Sequence, residues 1–503
     1  MTFTVDFSTR DFSAPILTGL NLVPLQLKWS VNGGPECAQL QLTGGGDQLI
    51  EACRLLRCPV MICDITGTPV WWGYVEEVIV YLDGAKIKVS LEPLFNKVSL
   101  RYSFISPNAV LSDLLTTTVA ENGASQAEYG IKEITLQRFG VDDDFALNLR
   151  DTFLSAAAWP ETALSQNLTG KHARVILKCA GWFKTLAWQH YQNLEGFYAN
   201  AGSGPGVFNF AQSSAYRYPS QVFTPGASGA LKYAYFQLRG VGNPSRNLNA
   251  QLRDTGGSLL ATSEAVSGST LSGVSYRWVK FIFSSPYTLT GGTTYMIGVT
   301  GNTTDAVRYF AIRSDENQSY LNGYAKYWTG STWLYLPSVT NPGGAPDLIF
   351  RAVCISDTGS QILSIANAGD QFFTRITAPS SNVLTCPHRD NGEDCLKEIQ
   401  SLMTLGTSNH RRILARVTPE RQLEFYEQPD PETPSVYMDG RGQFWTFQGT
   451  PLKAYFPPVG QFARYSGSGR IILPFDKARI PACFIEGASY NPQTGRLRIQ
   501  SKL

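Results

Sequence analysis

The sequence predicts a mainly β protein with α+β parts, and three observations lead to this fold class. Aromatic residues make up 12% of the 503 residues, and the 46 glycines and 28 prolines favour short strands joined by tight turns. Alternating runs flanked by turn residues recur along the chain, whereas segments with helical spacing are few and short. A chain of this length exceeds one ordinary core, so about three to four domains are expected.

The first hundred residues combine a short helix with strands. Helical spacing and a capping Asp47 predict a helix over residues 45–56, which Pro59 ends. Strands are predicted at 60–65, 70–82 and 85–91, because turn residues at 67–69 and 83–84 separate alternating runs. A further helix is predicted over residues 107–121, between Pro107 and Gly123.

The middle of the chain changes character near Asn200. A strand at 174–179 and a helical segment at 182–188 precede a Gly-rich loop at 201–206. Short β-patterned runs then follow at 232–239, 247–253, 278–283, 294–299 and 348–353, as expected of an antiparallel sandwich. Helices at 360–366 and 393–405 and strands at 412–417 and 421–426 return after it, so the sandwich is predicted to be an insertion within one framework.

Charge and cysteine content exclude several classes of partner. Lysine and arginine total 42 and acidic residues 40, so a net charge of +2 provides no global field for nucleic acid or an anionic membrane. No apolar run reaches the roughly 18 residues of a membrane span, and the start has no signal-peptide pattern. Nine scattered cysteines are typical of reduced thiols, and therefore of assembly in a cytoplasm.

Catalytic motifs are not found, so we expect a protein that is not an enzyme and needs no cofactor. The four histidines stand in unrelated contexts, and no nucleophile elbow, zinc-protease motif or phosphate loop occurs. Cys386, His388, Asp390 and Cys395 offer possible zinc ligands, but their spacing matches no standard site. The three acids at 142–144 could attract calcium, although such a run is more often solvated. No metal site is therefore predicted.

Two adjacent acids, Glu76 and Glu77, interrupt an otherwise apolar strand. Because burial of an unpaired carboxylate is costly, at least one is expected to point outward or to meet an arginine. An ion pair with another subunit is one alternative.

The most suggestive local feature is a cluster of aromatic residues within the predicted sandwich. Two strands around a Thr-Gly-Ser turn would place alternate aromatics on opposite faces. One face must pack on the core, and the other could stack on sugar rings. Packing alone remains the alternative. The candidate glycan-binding residues are Tyr324, Tyr327, Trp328, Trp333 and Tyr335.

The framework resembles the tail hub, or baseplate hub, proteins of tailed phages. Early residues that carry the resemblance are Gly67-Thr68-Pro69-Val70-Trp71, Gly73, Val75, Leu94-Phe95-Asn96-Lys97-Val98 and Tyr102. Later ones are Gly369-Asp370-Gln371-Phe372-Phe373, Asp390-Asn391-Gly392, Arg411-Arg412-Ile413-Leu414 and Glu420-Arg421. The insertion, residues 206–355, resembles jelly-roll carbohydrate-binding domains of phage and bacterial surface proteins.

The resemblance implies a division into four parts. Residues 1–104 would form a first tube-like β-barrel, 105–205 an α+β hub region, 206–355 the inserted β-sandwich, and 356–503 the continued framework with a second tube-like barrel. It also implies a homotrimeric ring at the tail tip of the virion, which lines or closes the DNA channel while DNA is in transit.

The implied partners are the tail tube or distal tail protein, the tape measure protein, tip or fibre proteins and a host surface polysaccharide. Two alternatives remain open at this point. One is a receptor-binding or side-fibre protein, and the other is an envelope glycoside hydrolase, which would need two carboxylates roughly 5 to 10 Å apart.

Overall fold

The computed structural model divides the chain into two compact units. The first unit comprises Met1–Tyr191, Thr358–Val383 and Gly392–Leu503, and the second comprises Gln192–Asp357 and Leu384–Asn391. The described residues are 3–17, 21–43, 46–82, 84–103, 114–166, 173–202, 204–214, 216–271, 273, 275–301, 304–337, 345–390, 392–430, 435–439, 441–465 and 483–502.

The first thirteen strands belong to the first unit. They are β1 (Thr4–Ser8), β2 (Pro15–Ile16), β3 (Asn21–Ser30), β4 (Asn32–Thr43), β5 (Pro59–Cys63), β6 (Pro69–Leu82), β7 (Ala85–Ser90), β8 (Lys97–Ser103), β9 (Leu115–Thr116), β10 (Ala120–Glu121), β11 (Glu133–Phe139), β12 (Glu161–Gln166) and β13 (Arg174–Ala180).

The next fourteen strands belong to the second unit. They are β14 (Phe197–Asn200), β15 (Pro205–Phe210), β16 (Pro219–Phe223), β17 (Gly229–Val241), β18 (Asn247–Asp254), β19 (Leu259–Thr262), β20 (Val266–Ser267), β21 (Arg277–Leu289), β22 (Tyr295–Gly301), β23 (Tyr309–Asp315), β24 (Ala325–Trp328), β25 (Trp333–Tyr335), β26 (Asp347–Leu348) and β27 (Phe350–Asp357).

The remaining strands return to the first unit, apart from β29 in the second. They are β28 (Arg375–Thr377), β29 (Leu384–Thr385), β30 (Ile413–Val417), β31 (Gln422–Glu427), β32 (Val436–Met438), β33 (Phe444–Thr446), β34 (Phe462–Tyr465), β35 (Cys483–Asn491) and β36 (Arg496–Lys502). The helices are α1 (Gly46–Glu51), α2 (Gly123–Tyr129), α3 (Asp143–Ala157), α4 (Thr358–Ala368) and α5 (Cys395–Leu405), with 3-10 turns at Ala52–Leu55, Trp182–Trp188 and Gly268–Leu271.

Seventeen of the described strands of the first unit join in one large sheet. Strand β6 holds its centre: β5 pairs with its first part, β7 with its last part, and β13 with residues 74–81. Trp71 on β6 is fully buried, and the core around it includes Ile362 from α4 and Ile399 from α5. Chain segments that precede and follow the second unit in the sequence therefore build a single core.

Several predicted helices are confirmed. Within the segment predicted over 45–56, Gly46–Glu51 form α1 and Ala52–Leu55 a 3-10 turn. Residues 182–188 form a 3-10 turn, and the helices predicted at 360–366 and 393–405 are α4 and α5. Helix α5 begins because the Asp394 side chain accepts a 2.8 Å hydrogen bond from Lys397 N, and it ends at Gly406, where φ is 70°. Within the described residues, the helices are too short or too polar to span a bilayer.

The helix predicted over residues 107–121 is wrong where the structure describes it. Residues 104–113 lie outside the described part, and the rest forms β9 and β10, which pair with β8. Sheet pairing at the edges of β8 overrides the local helical pattern there. Helices α2 and α3 were not predicted. For α3 the reason is the acidic run at 142–144, which was interpreted as solvated. In the structure the Asp142 side chain accepts a hydrogen bond from Phe145 N at 2.8 Å, so the run begins a helix.

The tube-like barrels implied by the family resemblance are not formed in the described residues. The large sheet stays open at β12. This strand pairs with β7 on one side, and no described strand pairs with its other side. Closure of a barrel requires the two edge strands to meet. The expectation of closed barrels is therefore corrected to one extended open sheet with a small mixed sheet, in which β11 runs parallel to β8.

The second unit is an antiparallel sandwich. From β15 to β27 the main strands alternate between an eight-stranded sheet, centred on β17, and a seven-stranded sheet, centred on β22 and β16. Alternate residues of both sheets fill one core; Phe236, Ile297 and Phe310 are among those with 0 to 1% exposure. The predicted mainly β class with α+β parts and an inserted antiparallel sandwich is thus confirmed.

Candidate functional site

The aromatic hairpin predicted from the sequence is the pair β24 and β25. Lys326 lies opposite Tyr335, and Trp328 lies opposite Trp333. The turn closes because Thr329 N donates to Thr332 O at 3.0 Å and Thr332 N donates to the Thr329 side chain at 3.1 Å. Alternation then places Tyr324, Lys326 and Trp328 on one face of β24 and the intervening residues on the other.

The inner face of this hairpin packs on the sandwich core. Ala325 is fully buried, and the Tyr327 ring stacks on Tyr216 at 5.5 Å and meets Phe208 at 5.3 Å between centroids. Burial and the neighbouring Tyr216 raise the pKa of Tyr327. Of the five candidate glycan-binding residues, Tyr327 therefore lies on the packing side.

The outer face brings the other four candidates together. The Trp328 and Trp333 rings lie 5.4 Å apart at 53°, and the Tyr324 and Tyr335 rings lie 5.1 Å apart at 54°. Lys326 Nζ sits 5.4 Å from the Tyr324 ring and 5.7 Å from the Tyr335 ring. The result is two tilted aromatic pairs, with a cation lying over the tyrosine pair.

Trp333 lies against a turn that is distant in the sequence, at residues 254–258. A side chain at Gly257, where φ is +94°, would collide with the Trp333 indole nitrogen. The turn itself is fixed by Arg253, which donates to Gly257 O at 2.6 Å, and by Asp254, which accepts from Ser258 N at 2.8 Å. Only glycine permits this close approach of the turn to the Trp333 indole.

Sequence reasoning missed the basic residues that accompany these aromatics. Lys326 shares the outer face with Trp328 because both are even-numbered positions of one strand. The Arg253 guanidinium lies 5.8 Å from the Tyr218 ring, and Arg217 N donates to Trp328 O at 3.3 Å. The alternating order Tyr-x-Lys-x-Trp at 324–328 was the signal that could have identified Lys326.

Buried acids inside the second unit bind amide groups. Asp315 is fully buried and accepts hydrogen bonds from Gly204 N at 2.8 Å, Ser319 N at 3.2 Å and Asn200 Nδ2 at 3.3 Å. Burial alone would raise its pKa, but the hydrogen bonds from Ser319 and Gly204 outweigh burial and lower the pKa to about 2.

Its strand partner behaves differently. Asp347 lies opposite Asp315 in the ladder, is 1% exposed, and accepts from Gln221 Nε2 and Tyr320 N, both at 2.9 Å. Burial raises the pKa of Asp347, and the bond from Gln221 opposes that effect only in part. Both carboxylates thus accept hydrogen bonds from the strands and loops around them.

The paired acids of β6 are both neutralised within the chain. The Glu77 side chain is 8% exposed and lies 2.6 Å from Lys178 Nζ and 2.9 Å from Lys88 Nζ, while Glu76 lies 2.5 Å from Lys184 Nζ. An arginine partner was one expectation from the sequence, but the partners of both acids are lysines. Burial alone would raise the pKa of Glu77, but the contacts with Lys178 and Lys88 lower it.

The residues considered as metal ligands have other contacts. Cys386 Sγ lies 3.6 Å from Gly196 O, His388 Nε2 lies 3.9 Å from Asp390, and Cys395 is fully buried in the core of the first unit. The acidic run at 142–144 caps α3, as described above. Across the described residues, no three His, Cys, Asp or Glu side chains converge as a ligand set.

Comparisons with known proteins leave the family open. No family model matches the chain, and no curated protein matches it. The mosquito-larvicidal Cry4Aa toxin from Bacillus thuringiensis is 7% identical with a TM-score of 0.16, and the match covers 58% of this chain and 51% of the toxin chain.

Two further solved structures come from infectious bursal disease virus. The Gt strain structure is 10% identical and the VP2 subviral particle 9% identical; each has a TM-score of 0.16 and a match that covers 70% of this chain and 77% of the viral chain. TM-scores of 0.16 are too low to indicate a shared fold.

Proposed function

We propose that this chain is a non-enzymatic structural hub of a tailed-phage tail tip, whose second unit contacts host sugars. The hub assignment rests on the sequence resemblance of the framework. The sugar contact rests on one geometric observation: four aromatic side chains and Lys326 share the outer face of the β24–β25 hairpin. An aromatic face offers apolar area to the C–H groups of a sugar ring, while lysine, tyrosine and tryptophan supply polar edges for hydroxyl groups.

Assembly of the first unit is supported by its edge strand. All six residues of β12 are exposed, including Leu164 at 75%, and β7 pairs with one edge of the strand. An exposed edge presents unpaired N–H and C=O groups that can add a strand from another chain. We propose that a second copy of this chain or a tail tube protein pairs there, which accords with a homotrimeric ring.

The sugar contact is tested with the full chain on a panel of bacterial surface polysaccharides. We expect binding to at least one member and a roughly tenfold loss of affinity for Trp328→Ala, since truncation of an aromatic side chain at the centre of a contact typically costs more than about 1 kcal/mol. Leu334→Ala is the matched control, because Leu334 belongs to the same hairpin, is 45% exposed and lies opposite Tyr327 on the other face. An equal loss in both variants, or no binding at all, would refute the proposed contact.

The assembly role is tested by sedimentation of the purified chain and by electron microscopy of tail tips. Leu164→Lys places a charge on the edge strand, a device that prevents strand addition, and should shift the oligomer to monomer. A central ring of copies supports the hub, whereas peripheral copies would favour a side-fibre protein.

A further inference from the structure

The eight-stranded sheet of the second unit carries a surface of cations and aromatic rings that sequence reasoning did not identify. Its core-facing residues include Ala234, Phe236 and Leu238 on β17, so the positions between them face outward. The outward side chains on β17, β21, β23 and β27, together with Tyr276 immediately before β21, form one set: Tyr235, Tyr276, Trp278, Lys280, Arg313 and Arg351. We call this set the cationic face.

The register of the strands brings these side chains together. Tyr235 lies opposite Lys280 on β21 and opposite Arg351 on β27, so one row crosses three strands. Neighbouring strands are about 4.8 Å apart, which places the two cations of this row about 10 Å apart at their Cα atoms. Tyr276 lies between two arginines: Arg239 is 4.9 Å and Arg313 is 5.1 Å from its ring.

Each cation of this face lies over an aromatic ring. The Arg351 guanidinium is 4.3 Å from the Trp278 ring, and Lys280 Nζ is 4.0 Å from the Tyr233 ring. A guanidinium that lies over a ring keeps its N–H groups in its own plane, where they can bind a carboxylate or a similar anion in a fork. Among the described residues, Lys280, Arg313 and Arg351 form no salt bridge, so their charges are not neutralised within the chain.

We propose that the cationic face binds an anionic polysaccharide, whose acidic groups pair with Arg313, Arg351 and Lys280. Like charges gathered on one surface repel one another unless a partner of opposite charge neutralises them, and a single-sign surface concentrates such a partner. Sugar hydroxyl groups would meet the polar edges of Tyr235 and Trp278. This site lies on a different sheet from the aromatic hairpin, so the inference does not depend on the hairpin function.

The geometry favours a sugar polymer over a nucleic acid. Single-stranded nucleic acid binds on open aromatic faces, on which its bases stack. Here the ring faces of Trp278, Tyr233 and Tyr276 are already covered by cations at 4.0 to 5.1 Å. What remains available is the set of N–H groups of these cations, which recognise acidic groups and hydroxyls without base stacking.

The experiment titrates the full chain with polygalacturonate, uncharged dextran and single-stranded DNA at low and high salt. We expect polygalacturonate to bind, dextran not to bind, and affinity to fall with salt. Arg351→Gln and Arg313→Gln should each weaken polygalacturonate binding by about tenfold, whereas Arg351→Lys should weaken it less because it retains the charge. Unchanged thermal melting would show that each variant is folded.

Several results would overturn the inference. Equal binding of dextran would mean that charge is not recognised, and tighter binding of DNA with the same variants would assign the face to nucleic acid. Absence of polygalacturonate binding would refute the proposal outright. Trp328→Ala is the control that separates the two sites: it should leave polygalacturonate binding unchanged while it weakens the hairpin contact.

Discussion

The two units use their charged strand residues in opposite ways. In the first unit, buried acids neutralise lysines: Glu77 meets Lys88 and Lys178, and Asp64, which is 2% exposed, lies 2.9 Å from Lys453 Nζ. In the second unit, the buried Asp315 binds amide groups instead, and Lys280, Arg313 and Arg351 lie over aromatic rings or beside them.

This difference shows that a net charge near zero does not describe the surface of each unit. The 42 basic and 40 acidic side chains nearly cancel over the whole chain. Cancellation is local in the first unit, where paired charges stabilise the sheet. In the second unit, Asp315 and Asp347 are buried and accept hydrogen bonds, whereas Lys280, Arg313 and Arg351 form no salt bridge in the described part of the chain, so the cationic face retains charge for a partner.

The largest expected effect tests the inner acids of the second unit. Asp315→Ala should lower the free energy of unfolding by about 3 kcal/mol, because several buried amide donors, including Gly204 N and Asn200 Nδ2, lose their acceptor. Chemical denaturation monitored by tryptophan fluorescence measures the change. Asp315→Asn retains one acceptor and should cost less.

Acid titration of the wild type tests the same residue. Its pKa of about 2 lies below the ordinary value of 3.8, so the stability it contributes is present above pH 4 and is lost as the pH falls toward 2. Asp315→Asn should lack this part of the acid transition. An unchanged acid profile in that variant would contradict the assigned role.

The next effect tests the ion pairs of the first unit. Glu77→Gln should lower the free energy of unfolding by about 2 kcal/mol, less than for a fully buried pair because both lysines remain partly in water. Lys178 and Lys88 are 47% and 39% exposed. Lys88→Gln is the control and should cost less, since Glu77 keeps Lys178. Equal stability of wild type and Glu77→Gln would remove the distinction between the two units.

A smaller effect is expected for Asp142, which caps the N-terminus of α3 in the first unit. Asp142→Ala should cost about 1 kcal/mol, because Phe145 N loses its capping acceptor. Thermal denaturation with and without calcium checks this prediction. A calcium-dependent rise in the melting temperature that disappears in Asp142→Ala would instead support a cation site.

The smallest effect is expected on the cationic face. Lys280→Gln and Arg351→Gln should each change the free energy of unfolding by about 0.5 kcal/mol or less, because a cation that lies over a ring at the surface of a sheet contributes little to folding. Denaturation of these variants beside Glu77→Gln gives the direct contrast. Destabilisation as large as that of Glu77→Gln would mean that these cations hold the fold together and are not available for a partner.

Much of the fold could be predicted because it depends on local patterns. Turn residues at 67–69 and 83–84 marked the strands β5, β6 and β7, and helical spacing over residues 393–405 marked α5. The helix predicted over 107–121 was wrong in its described part, because β8 provides hydrogen-bonding edges that are invisible in the local pattern. The aromatic hairpin was predicted as two strands, whereas the inward position of Tyr327 depended on the core beneath it.

The sequence by itself determined the mainly β class, the turns and the period of two along each strand. Only the tertiary structure decided which charges are neutralised and which face a partner. Glu77 meets Lys178, and Tyr235 meets Arg351, because strands more than a hundred residues apart become neighbours in their sheets. Alternation is a property of the local backbone, but the register between distant strands is set by the packing of the whole core.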